Sequence, residues 1–305
     1  MKKPVDLLIF MPVGSECRYE YVNDNIDSIS HHIDADKFVL LIVNDSGKPD
    51  FHDAIQKNAN IYIHDVPLSA HIDKRPNTFG SLFTKQIVAL REISELYDWQ
   101  SALRIDDDAL VIGPNPQDDA LAIFDADETL GLLGAYKYRG DGTNKEAAMY
   151  LKGRGIIKQL LRVKSVSDFK RSIHLLRVVK KALQNGYRLG DMCTGGSVFL
   201  SRNAIEGMSS LLAGSEALMA TSKLDDDLLF ALYAAASGLQ IGEFSRPDHE
   251  NHVMAINYRG LPMPLEELIE KGKKIVHPIK DVKNKDFQSE VRQFFRNDRQ
   301  GKSPK

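Results

Sequence analysis

The sequence predicts an α/β chain: a doubly wound, mixed but mostly parallel sheet flanked by helices, with a basic helical insert. Three observations predict it. Two near-continuous apolar runs, VDLLIFMPV (5–13) and FVLLIVNDSG (38–47), end in polar, turn-forming residues, as strands buried on both faces do. Between them Tyr19, Val22, Ile26, Ile29 and Ile33 recur at helical spacing, and a strand, a helix and a strand in that order imply a right-handed crossover. The 305 residues, 43% hydrophobic and 27% charged, suit a soluble globular protein with a sizeable core.

The remaining elements follow in order. ANIYIHDVP (59–67) reads as a third short strand, and GSLFTKQIVALREISELYDW (80–99) as an amphipathic helix with Leu82, Phe83, Ile87, Leu90, Ile93, Leu96 and Tyr97 on one face. SALRI (101–105) is a fourth strand, and TLGLLGAYKY (129–138) another. From Leu151 to Arg188 there are eleven Lys or Arg and one acidic residue, Asp168. Within that stretch RGIIKQLLRVK (154–164) and IHLLRVVKKALQNG (173–186) read as helices, the second closed by Gly186. A glycine pair, a short strand and a helix start lie in TGGSVFLSRNAIEGM (194–208), and LDDDLLFALYAAASGL (224–239) is a helix with three acids at its front. KKIVHPIKD (273–281) is a short strand with His277 just after it, and NDRQGKSPK (297–305) reads as a frayed end.

Several classes are excluded or demoted. Two cysteines, Cys17 and Cys193, support neither a disulfide framework nor a multi-cysteine zinc site. The opening MKKPVDLLIFMPVGSE is too short and too interrupted by Asp6 for a signal peptide, and reads as the first strand. No run approaches the ~18 apolar residues that span a membrane, so a cytoplasmic protein is the expectation. A nucleic-acid binder would rest on the basic insert alone and would leave both acidic triplets unexplained.

The chemistry concentrates in four places. Asp106, Asp107 and Asp108 follow a strand directly, where open α/β sheets bind ligands. Carboxylates there suit a hard cation such as Mg²⁺ or Mn²⁺ shared with substrate phosphates. On an extended stretch residues i and i+2 face one side, which would pair Asp106 with Asp108 and turn Asp107 elsewhere, toward a ribose hydroxyl for example. The same triplet also reads as an acidic loop with capping roles. His277 is either a further metal ligand or a plain surface or core histidine. Asp225, Asp226 and Asp227 open a helix, where the macrodipole favours acids, yet three exceed what a cap needs, and one of them could serve as a general base. NDSG (44–47) either contacts a nucleoside or simply turns the chain. His249 and His252 form an H-x-x-H in a polar loop, an alternative metal pair that coincidence explains equally well.

These pieces, in order, resemble a GT-A-fold glycosyltransferase, and in particular the fringe and β1,3-galactosyltransferase group. The matching segments are SLFTKQIVAL, RIDDDALV, TGGSVFLSR, LDDDLLFALYAAASG and IVHPIKD, running from about residue 5 to residue 280. The resemblance implies one catalytic domain over residues 1–295, with a nucleotide-binding half (1–114), an acceptor half (115–295) containing the basic insert (139–190), and a flexible tail (296–305). It implies a UDP-sugar donor bound near Pro12, Val13, Gly14 and Asp45, ribose contacts from Asp106 or Asp107, and diphosphate contacts from Lys85 and Lys280. Gly195 and Gly196 would let backbone approach the sugar. Asp108 and His277, with Asp106 on the same side, would hold Mn²⁺ or Mg²⁺. Asp227, or Asp226 in a shifted register, would take the acceptor proton with inversion at the anomeric carbon.

The insert departs from the family pattern. It reads as a surface for an anionic membrane and a lipid-linked or glycan acceptor, as a lid, or as a solvated helical hairpin. The membrane reading puts the protein at the inner face of the membrane. The competing readings are a non-catalytic nucleotide- or glycan-binding relative and a sugar nucleotidyltransferase; the latter enzymes usually carry a Gly-rich loop with a basic residue after strand one, which MPVGSECRYE matches poorly.

Overall fold

The structure, a computed structural model, describes residues 2–56, 58, 60–65, 79–280 and 286–302. The first half alternates strand and helix: β1 (Lys3–Val13), α1 (Tyr19–His32), β2 (Phe38–Asn44), α2 (Phe51–Ala54), β3 (Ile61–Asp65), α3 (Phe79–Ile93) and β4 (Tyr97–Ile105). Next come β5 (Leu110–Val111), α4 (Pro116–Ala126), β6 (Leu130–Gly134) and the two long helices α5 (Glu146–Leu161) and α6 (Val166–Gln184). The chain continues through β7 (Ser197–Ser201), α7 (Arg202–Leu212), α8 (Glu216–Met219), α9 (Asp226–Ala236), β8 (Gln240–Glu243) and β9 (Met254–Ile256). It closes with α10 (Leu265–Glu270), β10 (Ile275–His277) and α11 (Phe287–Arg299).

The main sheet has the order β3-β2-β1-β4-β7-β6-β8, and only β7 runs antiparallel to its neighbours. The chain builds outward from β1 to β3 and then returns to place β4 on the other side of β1. That reversal opens a crevice beyond the carboxyl ends of β1 and β4. Leu7 to Met11 are fully buried because α1 and α4 cover one face while α3, α6, α7 and α9 cover the other. A second sheet, β5-β10-β9, packs with α10 and α11 around Leu110, Val276, Leu268 and Phe295.

Several boundaries differ from those the sequence suggests. The helix expected over 80–99 stops at Ile93; Leu96 is exposed and Tyr97 already belongs to β4. Apolar Trp99 sits in the strand among polar Asp98 and Gln100, a local alternation that competes with the helical period. The strand expected over 129–138 ends at Gly134, after which residues 137–145 fold back on themselves through a bridge between Tyr138 and Asn144. The insert's helices begin earlier than expected, at Glu146 and Val166. The third expected strand is seen over Ile61–Asp65; its residues 59, 66 and 67, together with Asp281 and residues 303–305, lie outside the described residues.

The largest correction concerns the C-terminus. Residues 296–299, read from sequence as part of a flexible tail, complete α11 and are held by one buried carboxylate. Asp24 on α1 receives Arg292 Nη1 at 2.8 Å, Arg296 Nε at 2.8 Å and Arg299 Nη2 at 2.7 Å. Burial alone would raise the Asp24 pKa, but hydrogen bonds from Arg292 and Arg296 and their charges outweigh it and hold the carboxyl below its ordinary value.

Because Asp24 and Arg292 are almost wholly buried, Asp24→Asn should cost about 3–5 kcal/mol of stability, measured by urea unfolding. The depressed pKa sets the sign with pH. The Asp24 contribution is complete above the ordinary carboxylate pKa of about 3.9 and disappears as pH falls through the lower folded value, so the gap between wild type and Asp24→Asn should close in acid.

Candidate functional site

The crevice is built by strand ends and pairing registers. β1 ends at Val13, and Pro12, Val13 and Gly14 line a cavity of ≈ 320 Å³ together with Asp45, Asp106, Asp107, Asp108 and Lys280. β4 ends at Ile105, and Asp106 to Asp108 follow as a turn closed by the Ala109 N–H donating to the Asp106 carbonyl at 3.1 Å. Asp106 and Asp108 therefore face one space through a turn and not, as their spacing suggests, along an extended strand. β5 starts two residues later and pairs antiparallel with β10, Leu110 opposite Val276. That register sets His277 beside Asp108, with His277 Nε2 3.3 Å from Asp108 Oδ1.

The antiparallel course of β7 explains the glycine pair. Ser197 lies opposite Ile105, so Gly195 and Gly196 fall at the same sheet end as the acidic turn, and the Asp106 N–H donates to the Gly196 carbonyl at 2.8 Å. Gly196 has φ +103°, and the His277 ring occupies the space a Cβ would need. Gly195 leaves room in the same way for the Asp227 carboxylate. Both glycines are thus required by close approach of site side chains, whatever ligand binds.

Arg104, the second-last residue of β4, organises the rest. It is buried, and its guanidinium reaches Asp106 Oδ1 (3.0 Å), Asp226 Oδ2 (2.9 Å) and Asp227 Oδ1 (2.6 Å), while Nε donates to Gln86 Oε1 (3.1 Å) on α3. Asp226 and Asp227 lie in the first turn of α9. Sequence reasoning missed Arg104; the signal was a cation inside an apolar strand, two residues before three acids. The other triplet member, Asp225, pairs with Lys152 of α5.

One guanidinium cannot neutralise three carboxylates, and the protonation equilibria follow from that. Burial raises the Asp227 carboxyl, the neighbouring Asp226 charge adds to it, and Arg104 offsets only part, leaving a value of about 7. Asp106 is raised by burial and by Asp108 against the pull of Arg104. Asp107 is pushed up to about 6 by burial and by both neighbouring carboxylates. For Asp108, burial is overcome by hydrogen bonds and charge from His277 and Lys280, and its carboxyl is held well below the usual range. His277 is raised despite burial because Asp108 accepts its hydrogen bond. Lys280 Nζ lies 2.6 Å from Asp108 Oδ2, and Lys85 Nζ 2.6 Å from Asp45 Oδ2.

A divalent cation fits Asp106, Asp108 and His277. Two carboxylate oxygens and an imidazole nitrogen lie within 4.8 Å of one another, the one such cluster among the described residues. His277 Nδ1 is buried with no hydrogen-bond partner, a cost that ligation by the ring would help to justify. His249 and His252 do not form a second centre: their rings stack at 4.0 Å, and the His252 Nδ1 accepts from the Arg246 N–H at 3.2 Å.

Two elements distant in sequence fix the acidic turn. Arg292 of α11 donates to the Asp107 carbonyl (2.6 Å), and Asn25 of α1 donates to the same carbonyl (3.2 Å). Neither was legible from sequence. A second cavity, ≈ 560 Å³, adjoins the first and shares Phe79, Leu82, Arg104, Asp106 and Lys280 with it. It reaches Gly195, Asp225, Asp226 and Asp227, and its outer wall includes Ala148, Met149 and Lys152 of the insert's first helix. Arg139, Lys145 and Tyr258 also line it, and sequence reasoning singled out none of them.

No protein-family model and no curated protein sequence matches the chain. Among solved structures it is similar to a mannosyltransferase from Pyrobaculum calidifontis in complex with GDP-Man and Mn²⁺, at 12% identity over 66% of this chain and 45% of that one, with a TM-score of 0.36. The chain thus spans less than half the length of that protein. It is also similar to glucosyl-3-phosphoglycerate synthase from Mycobacterium tuberculosis in complex with Mn²⁺ and UDP (13% identity, 99% and 81% of the two chains, TM-score 0.40). A third is the galactosyltransferase LgtC in complex with donor and acceptor sugar analogs (13% identity, 77% and 72%, TM-score 0.40). Likeness at this level assigns no chemistry, which has to come from the residues above.

Removing the shared cation should expose how far the carboxylates depend on it. Arg104→Met should lose about 3–5 kcal/mol in urea unfolding, because three buried or half-buried acids lose their common partner. Adding Asp227→Asn to that variant should restore part of the loss; a second loss of similar size would contradict the shared-charge account.

Proposed function

We propose that this chain is a metal-dependent glycosyltransferase that moves a sugar from a UDP-sugar to an acceptor hydroxyl with inversion. The observation that carries the reading is the pair of adjoining cavities. One is lined by Asp106 and Asp108, which His277 completes as a cluster from behind the wall, the other is lined by Asp226 and Asp227, and Arg104 and Asp106 belong to both walls. The in-order match of the acidic, glycine and histidine motifs to the fringe and β1,3-galactosyltransferase group supports the same reading.

The donor occupies the first cavity. Uridine lies against Pro12 to Gly14 and Asp45, and Asp107 contacts the ribose. Lys280, exposed beside Asp108, reaches the diphosphate, and Lys85 orients Asp45 from α3. A Mn²⁺ or Mg²⁺ held by Asp106, Asp108 and His277 supplies Lewis-acid stabilisation of the charge on the departing diphosphate. The glycine backbone at 195 and 196 lies close to where the sugar projects toward the second cavity.

The acceptor, a glycan or lipid-linked saccharide, enters through the second cavity. Its hydroxyl oxygen attacks the anomeric carbon as the bond to the diphosphate breaks, and UDP leaves with the electron pair. The hydroxyl proton passes to Asp227, whose Oδ1 is tied to Arg104. Asp226, buried and held by the same guanidinium, acts as a positioning residue. A base in one cavity and a leaving group in the other favour a single displacement from opposite faces, hence inversion. A carboxyl near 7 suits this role, since a base titrating near the working pH combines availability with proton affinity.

UDP release from a panel of UDP-sugars tests the assignment. Asp227→Asn should lower kcat by about 10²–10⁴-fold while leaving UDP affinity nearly unchanged. In the wild type, kcat/KM should rise with pH through about 7 as Asp227 loses its proton. A profile flat across neutrality, or an Asp227→Asn variant with full kcat, would remove Asp227 from the base role.

A further inference from the structure

The insert helices bury one face and leave a second apolar set in solvent. Ile156, Leu175, Val178, Val179 and Ala182 are packed into the core. Yet nine of the fourteen exposed large hydrophobic side chains among the described residues fall between Tyr150 and Leu183. They concentrate at the turn joining α5 to α6, where Leu161 is 79% exposed, Val166 73% and Phe169 55%. A soluble surface rarely gathers large apolar side chains this way without a partner.

The charges around that tip are of one sign. Asp168, the single acid between residues 151 and 188, is taken by Arg171 at 2.7 Å. Apart from Lys152, Arg171 and Arg188, no basic side chain in this span has a carboxylate at ion-pair distance among the described residues. Arg154, Lys158 and Arg162 share a shallow groove of ≈ 590 Å³ with Ile157 and Leu161. No helix among the described residues is long and apolar enough to cross a membrane. Apolar tips ringed by unpaired cations fit an interface in which hydrocarbon lies just beneath a layer of anionic headgroups.

We propose that the α5–α6 turn docks this protein on anionic lipid surfaces, with Leu161, Val166 and Phe169 entering the acyl boundary and Lys158, Arg162, Lys164 and Lys170 meeting the headgroups. The same α5 helix supplies Ala148, Met149 and Lys152 to the wall of the second cavity, roughly 14–20 Å along the helix from Leu161, so docking through the turn also sets how that cavity is held relative to the membrane. The proposal goes beyond sugar transfer and is read without turnover.

The test is sedimentation of the full chain with vesicles of phosphatidylcholine alone or with about one third phosphatidylserine, at ~0.15 M salt and above. The wild type should bind the anionic vesicles at least tenfold better than the neutral ones, and high salt should weaken binding. Leu161→Gln with Phe169→Gln, and separately Lys158→Glu with Arg162→Glu, should each reduce binding at least tenfold. All of these positions lie on the hairpin surface and outside both cavities, so circular dichroism and metal-dependent UDP binding should be unchanged. Three results would overturn the proposal: wild type that ignores anionic vesicles, variants that bind as wild type does, or a wild-type dimer that the same substitutions dissolve in the absence of lipid. Loss of UDP binding in every protein, with vesicle binding intact, would instead count against the proposed transfer reaction.

Discussion

Arg104 is the constraint on which the site depends. A guanidinium buried at the end of a central strand could not stay there without anions, and the three carboxylates around it could not approach one another without a cation. Its planar fork lets one side chain meet Asp106 from the acidic turn and Asp226 and Asp227 from α9 at once. The distance between the two acidic motifs is thereby set by one rigid group anchored in the sheet. Burial and the neighbouring Asp226 charge raise the Asp227 carboxyl to about 7, because the one guanidinium offsets only part of them.

The surroundings serve the same geometry. Pairing of β5 with β10 brings His277 to Asp108, and the antiparallel β7 brings Gly195 and Gly196 beneath Asp227 and His277. α11 is remote in sequence, yet Arg292 spans the interface, binding Asp24 with one nitrogen and the Asp107 carbonyl with the other. The clamp that fastens the last helix to the domain is thus the clamp that holds the backbone of the metal-site turn.

Much of this was legible in residue order. Continuous apolar runs marked β1 and β2, because strands covered on both faces carry no polar side to mask them. The convergence of Asp106, Asp108 and His277 was anticipated from motif order, although a turn and not an extended strand produces it. What escaped was whatever depends on distant partners. Arg104 passed unremarked within the strand SALRI because its three acids come from two separate segments. Arg296 and Arg299 read as a flexible tail, and Arg292 drew no reading at all, because Asp24 lies more than 260 positions earlier. Lys145, bound to the Ala135 and Met192 carbonyls, has no sequence signature at all.

The central claim is that the turn after β4 grips a metal and a nucleotide together. Calorimetric titration of UDP into the wild type and Asp108→Ala, each with Mn²⁺ and with EDTA, tests it most directly. The account predicts UDP binding by the wild type that requires Mn²⁺ and is lost in Asp108→Ala. UDP binding indifferent to metal and to Asp108, or no UDP binding under any condition, would contradict it and return the acidic triplet to a structural role.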